Sequence, residues 1–235
     1  MKLFDAHCHP TQTRGGGAGR VINSTHPDDW FRVIQLAKEN AAVIAAIGLH
    51  PLKLKDAPSG WKARFLECLS TAGAVGEIGL DYRDKSCVDA QKACFSWQLE
   101  QASNHNLPVS IHCVHAFENL HERIKKGPQP DRGIHLHAFN GSAEQARQLI
   151  KLGAYFSFHA GQLQGRAKKA PAALKEIPED RLFIETDAEA SDGSDPDSLS
   201  LLKEGYKLAA EIRETDPEAF GHQVNANFKR YFLDD

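Results

Sequence analysis

The sequence predicts an α/β fold, a single (β/α)8 barrel of the TIM type, a distorted version included, spanning residues 1–235. Three observations carry that expectation. Eight short runs rich in Val, Ile, Phe and Ala are bounded by turn residues, amphipathic stretches alternate with them, and the chain of 235 residues approaches the roughly 250 that such a barrel uses.

In chain order the strand candidates are "KLFDAHCH", "RVINST", "AVIAAIGLHP", "AVGEIGLD", "PVSIHC", "GIHLHAFNG", "AYFSFHAG" and "RLFIETD". Several are apolar on both faces, as expected where helices cover one side and a core the other. The "RGGGAGR" stretch precedes a strand rather than a helix, so it reads as a loop and not as a phosphate cradle. "DDWFRVIQLAKENA" places Trp30, Phe31, Ile34 and Ala37 at helical steps. "KARFLECLST", "DAQKACFSWQLEQASNHN" and "FENLHERIKK" read as the helices after strands three, four and five. In "SAEQARQLIKLG" Ser142 and Gln145 form a capping-box pattern and Gly153 supplies the stop. "YKLAAEIRE" continues the pattern beyond strand eight, the polar "ASDGSDPDS" is a loop, and residues 216–235 read as a final helix on the outside.

Composition narrows the class of partner. A formal net charge of −3 gives no general basic field, so contact with a polyanion must be local. The five cysteines lack CxxC spacing, which argues against a disulfide framework and for a reducing compartment. No secretory leader and no run of about 18 apolar residues appears, and the expected location is the cytoplasm. Nothing in the pattern forces an interface, and a monomer is expected.

In this fold the reacting groups sit at the carboxyl ends of the strands. Metal-capable residues recur there: His7 and His9 on strand one, Glu77 on four, His112 on five, His135 and His137 on six, and Asp187 on eight. The period of two points His7 and His9 together and turns Cys8 away into packing. Imidazoles and carboxylates clustered at low dielectric are costly, and a divalent cation compensates. Imidazole with carboxylate suits zinc, manganese or magnesium. Two ions sharing a carboxylate can hold a hydroxide between them, and Glu77, central in strand order, is the natural bridge.

The segments "DAHCH", "GEIGLDY", "PVSIHC", "HAFNG" and "ETD", in this order, resemble the TatD family of metal-dependent deoxyribonucleases in the amidohydrolase superfamily. The resemblance covers nearly the whole chain. It implies a TIM-type barrel and hydrolysis of DNA phosphodiesters, often as a 3′ to 5′ exonuclease on single strands, with two divalent ions. Carried over by position, His7, His9, Glu77 and Asp187 hold one ion, and Glu77, His112 and His137 hold the other. On strand six His137 is chosen over His135 because it lies nearer the carboxyl end and matches the family's histidine. His135 becomes a supporting layer. Asp187 likewise takes the ligand and proton-accepting roles, leaving Glu185 to orient a histidine.

The chain departs from the family pattern in its substrate loops. Val114, followed by His115, stands where a basic residue is common, Leu52 replaces a histidine, and "ETDAEASDG" lacks the usual continuation. His50 and His159, at the ends of strands three and seven, and Arg83, beside Tyr82, are the candidate substrate contacts. Each competes with a plainer reading as a rim or surface group. His105, His121 and His222 read as surface or capping residues, and Trp30, Phe31, Phe95 and Trp97 as packing. Lys168 and Lys169 near Arg166 read as a solvated patch. The alternative functions are hydrolysis of a small ester, amide, lactone or phosphoester, and a non-catalytic adaptor.

Overall fold

The computed structural model describes residues 2–10, 18–165, 167–188 and 198–233. Much of "RGGGAGR" and "ASDGSDPDS", together with Arg166, lies outside the described residues. Eight strands form one sheet in chain order: β1 (Phe4–Cys8), β2 (Gly19–Asn23), β3 (Val43–Ile47), β4 (Ala74–Asp81), β5 (Val109–Val114), β6 (Ile134–Leu136), β7 (Ala154–Phe158) and β8 (Leu182–Ile184). The segment after β8 returns to β1, where Asp187 N–H donates to His7 O and His9 N–H to Ala188 O, each at 3.0 Å. All eight anticipated strands are present, in the order of the expected α/β barrel. No described helix is long and apolar enough to cross a membrane.

The chain divides into two units, Met1–Val21 with His137–Asp235, and Ile22–Leu136. The first unit carries β1, β7 and β8 with α5 (Ala143–Ile150), α6 (Ala160–Leu163), α7 (Lys169–Glu176), α8 (Ser198–Ile212) and α9 (Pro217–Phe228). Its core is aromatic. Phe4 stacks on Phe228 at 4.3 Å, and Tyr155 stacks on Phe183 at 5.2 Å. The Tyr206 hydroxyl donates to Phe4 O at 3.0 Å, fixing α8 to β1. At the start of α5 the Ser142 hydroxyl accepts from Gln145 N–H, and the Gln145 side chain accepts from Ser142 N–H. Gly153 follows at φ 77°, as a helix stop requires.

The second unit holds β3 to β6 with α1 (Trp30–Glu39), α2 (Trp61–Leu69), α3 (Val88–Asn104) and α4 (Phe117–Lys126). The strand pairs β3/β4, β4/β5 and β5/β6 are parallel. Trp30 is fully buried and donates through Nε1 to Gly48 O at 2.8 Å. Trp61, Phe65 and Trp97 meet edge to face between α2 and α3. Helix α3 also places two fully buried glutamines against strand ends. Gln98 accepts from Leu49 N–H at 2.8 Å and donates to Leu49 O at 3.2 Å. Gln91 does the same for Asp81, at 2.9 and 3.0 Å. Each glutamine satisfies both polar groups of one buried peptide position.

Four expectations need correction. Phe31 is 65% exposed, because the buried stripe of α1 runs through Trp30, Val33 and Ile34 and leaves Phe31 about 100° away. Strands three, six and eight stop at Ile47, Leu136 and Ile184, so His50, His137 and Asp187 lie on the segments that follow. Residues 216–235 do not form one helix: α9 ends at Phe228 and Lys229–Leu233 is a π-turn. Helices α6 and α7 were not anticipated, since "AGQL" is too short to show a period and "KAPAALKE" has Leu174 as its one large apolar residue.

Candidate metal centre

In the first unit β1 sets the register. Asp5, His7 and His9 share one side of the chain, while Cys8 turns away and donates its thiol to Val21 O at 3.5 Å. Burial pushes the Cys8 thiol well above its usual range, which suits packing. His7 Nε2 and His9 Nε2 lie 3.8 and 3.6 Å from Asp187 Oδ1. Asp187 sits at φ 49°, in the left-handed region. Its N–H donates to His7 O at 3.0 Å. Asp5 accepts from Thr186 Oγ1 at 2.6 Å and from Thr186 N–H at 3.0 Å. Burial raises the Asp5 carboxyl to about 7, although those hydrogen bonds pull the other way.

His137 stacks on His7 with ring centroids 3.9 Å apart. Its Nδ1 is 3.7 Å from Oε1 of Glu185. Glu185 is fully buried and accepts from Ala138 N–H at 2.7 Å and from the Ser157 hydroxyl. It therefore stands beside His137, where a carboxylate that orients a histidine belongs, and within ligating reach as well. Two groups result, His7 with His9 and Asp187, and His7 with His137 and Glu185.

In the second unit the buried Glu77 projects from β4. His112 on β5 places Nδ1 2.7 Å from Glu77 Oε1, and His50 Nε2 lies 3.5 Å from the same oxygen. The two imidazoles meet edge to face at 4.5 Å. His50 is fixed by accepting Leu52 N–H at Nδ1, which starts the 3-10 turn Pro51–Asp56. Glycines make this crowding feasible. A Cβ on Gly48 would lie 2.6 Å from Glu77 O, and Gly79, at φ 149°, carries a position where a Cβ would overlap His112 O. Hence glycine stands at Gly48 of "AIGLHP" and at Gly79 of "GEIGLD", where backbones approach.

His112 Nε2 meets Oδ2 of Asp81 at 3.0 Å. Asp81 is fully buried and takes hydrogen bonds from Arg83 N–H at 3.0 Å and from the Arg83 guanidinium. Burial opposes its ionisation, yet His112 and Arg83 hold the carboxyl below the usual carboxylate range. Sequence reading missed Asp81, Asp5, Gln91 and Gln98. A signal existed for the acids, because Asp81 is four residues from Glu77 and Asp5 two from His7, on the same strand faces.

The other expected residues are placed as follows. His135 lies on β6, fully buried and paired in register with Ser110. His159 follows β7 and opens α6, its N–H donating to Gln162 Oε1 at 3.1 Å. Arg83 is committed to Asp81 but remains 56% exposed. His105 caps α3. The five cysteines are free thiols.

Each of the three His and carboxylate groups offers ligand atoms that all lie within 4.8 Å of one another. The donors, imidazole nitrogen and carboxylate oxygen without thiolate, fit a divalent cation of the zinc or manganese type.

A family model described as TatD related DNase matches residues 4–233. The Bacillus subtilis protein YabD, described as an uncharacterized metal-dependent hydrolase, is 35% identical over 213 residues, 86% of this chain and 82% of YabD. The 3′-5′ ssDNA/RNA exonuclease TatD of Klebsiella pneumoniae is 28% identical over 181 residues, 74% of this chain and 67% of that protein. The crystal structure of YjjV, a TatD homolog from Escherichia coli, superposes with a TM-score of 0.88 at 24% identity, over 98% of each chain. That likeness carries the fold.

Proposed function

The chain belongs to the TatD related DNase family and is a metal-dependent hydrolase, and from that premise we propose that it cleaves DNA phosphodiester bonds, working from the 3′ end of single strands. The observation that carries the reading is the gathering of imidazoles and carboxylates in each unit with ligand atoms within 4.8 Å. The name of the Klebsiella relative, a single-strand exonuclease, supports the choice of substrate. We propose two ions, zinc, manganese or magnesium, with the assignment implied by the resemblance: His7, His9, Glu77 and Asp187 for one, Glu77, His112 and His137 for the other. When bound, such ions polarise a phosphoryl oxygen and bring the pKa of water toward neutrality.

The chain's own residues supply the remainder. Asp187, with a side chain 32% exposed, accepts the proton of the attacking water. His135 and Glu185 support the ligand histidines from below. His50, His159 and the exposed part of Arg83 face substrate as hydrogen-bond donors to phosphate.

A second reading, a small ester, amide, lactone or phosphoester as substrate, is favoured by one observation. Leu52 puts a partly exposed apolar side chain after His50, where the family commonly has histidine.

The test is hydrolysis of a 5′-labelled single-stranded DNA oligomer by protein reloaded with manganese, magnesium or zinc, beside Glu77→Ala prepared identically. Metal-dependent shortening from the 3′ end that the variant lacks is the expected result. Tight metal binding without shortening moves the assignment to a small substrate, and absence of metal binding overturns the hydrolase site.

A further inference from the structure

We infer that Asp81 is a positioning residue for His112: it takes the Nε2 side of the imidazole, so that Nδ1 is presented with Glu77 to a cation, and Arg83 braces Asp81 in that task. The inference rests on the reading of Glu77 and His112 as metal ligands.

The geometry is a line of four groups within the second unit. Glu77 Oε1 lies 2.7 Å from His112 Nδ1, and His112 Nε2 lies 3.0 Å from Asp81 Oδ2. The Arg83 guanidinium closes the far end on both Asp81 oxygens. An ionised carboxylate only accepts, so Asp81 requires Nε2 to carry the proton. At 2.7 Å from a carboxylate oxygen Nδ1 requires a proton or a cation between the two, and with Nε2 protonated a neutral imidazole offers a bound cation its lone pair on Nδ1. This is the general logic by which a carboxylate fixes the tautomer and ring angle of a ligating histidine.

Asp81 is held more firmly than a turn residue needs. Its backbone N–H and C=O are both taken by Gln91, reaching from α3. Its carboxylate, fully buried, is met by His112, Arg83 N–H and the guanidinium. Burying a charge is costly unless every oxygen is satisfied, and here each one is. A plainer role exists: Oδ1 accepts from Arg83 N–H two residues on, an Asx turn. Asparagine would preserve that turn. It would not preserve a fixed tautomer, because an amide can either accept from Nε2 or donate to it.

The experiment strips metal from the full chain and titrates it with Zn²⁺ or Mn²⁺ against a chelator. Wild type, Asp81→Asn, Arg83→Ala and His112→Ala are compared, alone and with Asp81→Asn added to His112→Ala. Asp81→Asn is expected to weaken cation binding about 10- to 100-fold. Arg83→Ala acts in the same direction by less. In the His112→Ala background Asp81→Asn should add nothing, since a residue acting through His112 has no effect once the imidazole is gone. Equal loss in both backgrounds, or wild-type affinity in Asp81→Asn, would overturn the inference. So would wild-type cation affinity in Arg83→Ala, as regards the brace. Should Asp81→Asn fail to fold, nitrogen-15 spectra of zinc-loaded wild type decide: His112 must carry its proton on Nε2 and the metal on Nδ1. Metal on Nε2 refutes the assignment. A wild type that binds no cation overturns the metal site and this inference together, whereas a binding wild type with an indifferent Asp81 overturns this inference alone.

Discussion

Replacing Gln98 by Leu keeps an apolar side chain in place, one bond shorter, and deletes both of its hydrogen bonds to Leu49. The partners are the backbone N–H and C=O of a residue that is 1% exposed, so water cannot replace what is lost. Leaving a buried polar group unsatisfied costs about 1 to 3 kcal/mol. Two such groups, offset in part by the added apolar methyl, put the expected loss at roughly 2 to 4 kcal/mol. For a chain of this size each kcal/mol moves the melting temperature by about 2 to 4 °C. Thermal unfolding followed by circular dichroism on metal-stripped protein should therefore show Gln98→Leu melting at least about 4 °C below wild type. A variant within about 1 °C of wild type would refute the reasoning, for it would mean that Leu49 finds other partners without cost.

Three further outcomes are expected. Gly79→Ala should yield little soluble protein, and any that folds should lose more than about 3 kcal/mol in urea unfolding, because the left-handed φ and the His112 carbonyl both forbid a Cβ; unchanged urea midpoints would contradict this. Ser142→Ala should cost about 1 kcal/mol in the same assay, the worth of an N-cap whose hydroxyl accepts Gln145 N–H. Burial raises the Cys94 thiol to about 12, so iodoacetamide at pH 8 should leave it unmodified in the native protein and label it in urea, as mass mapping would register. The sign of the linked effect follows: unfolded Cys94 ionises near 9 while the folded thiol keeps its proton, so its contribution to stability falls as pH rises from about 9 toward 12.

The strands were legible because burial on both faces writes itself as uninterrupted apolar runs, and "AVGEIGLD" matches β4 residue for residue. His7 and His9 were legible because a strand's period of two makes His-x-His a shared face. Asp187 lies 3.8 and 3.6 Å from that pair, but its backbone state was not legible. Its φ of 49° accompanies an Asp187 N–H bond to His7 O and Thr186 bonds to Asp5, contacts between residues 180 and 181 positions apart that no local pattern encodes. Asp81, Gln91 and Gln98 escaped for a related reason. A buried polar side chain and a solvated one look alike in sequence, and only the partner across the core distinguishes them.

Helix α3 has a consequence for how this protein can change. Gln91 and Gln98 are seven residues apart, two turns and about 10 Å along the axis. One grips the residue that backs His112, the other the residue before His50. The helix thus works as a gauge that sets the separation of two loops at once. Length variation inside it is closed to drift, because one inserted residue between the glutamines would swing Gln98 by about 100° and release Leu49. Variation in the loops themselves, such as Leu52, leaves the gauge intact. New substrate preferences can therefore accumulate on the loops while the helix behind them keeps the spacing constant.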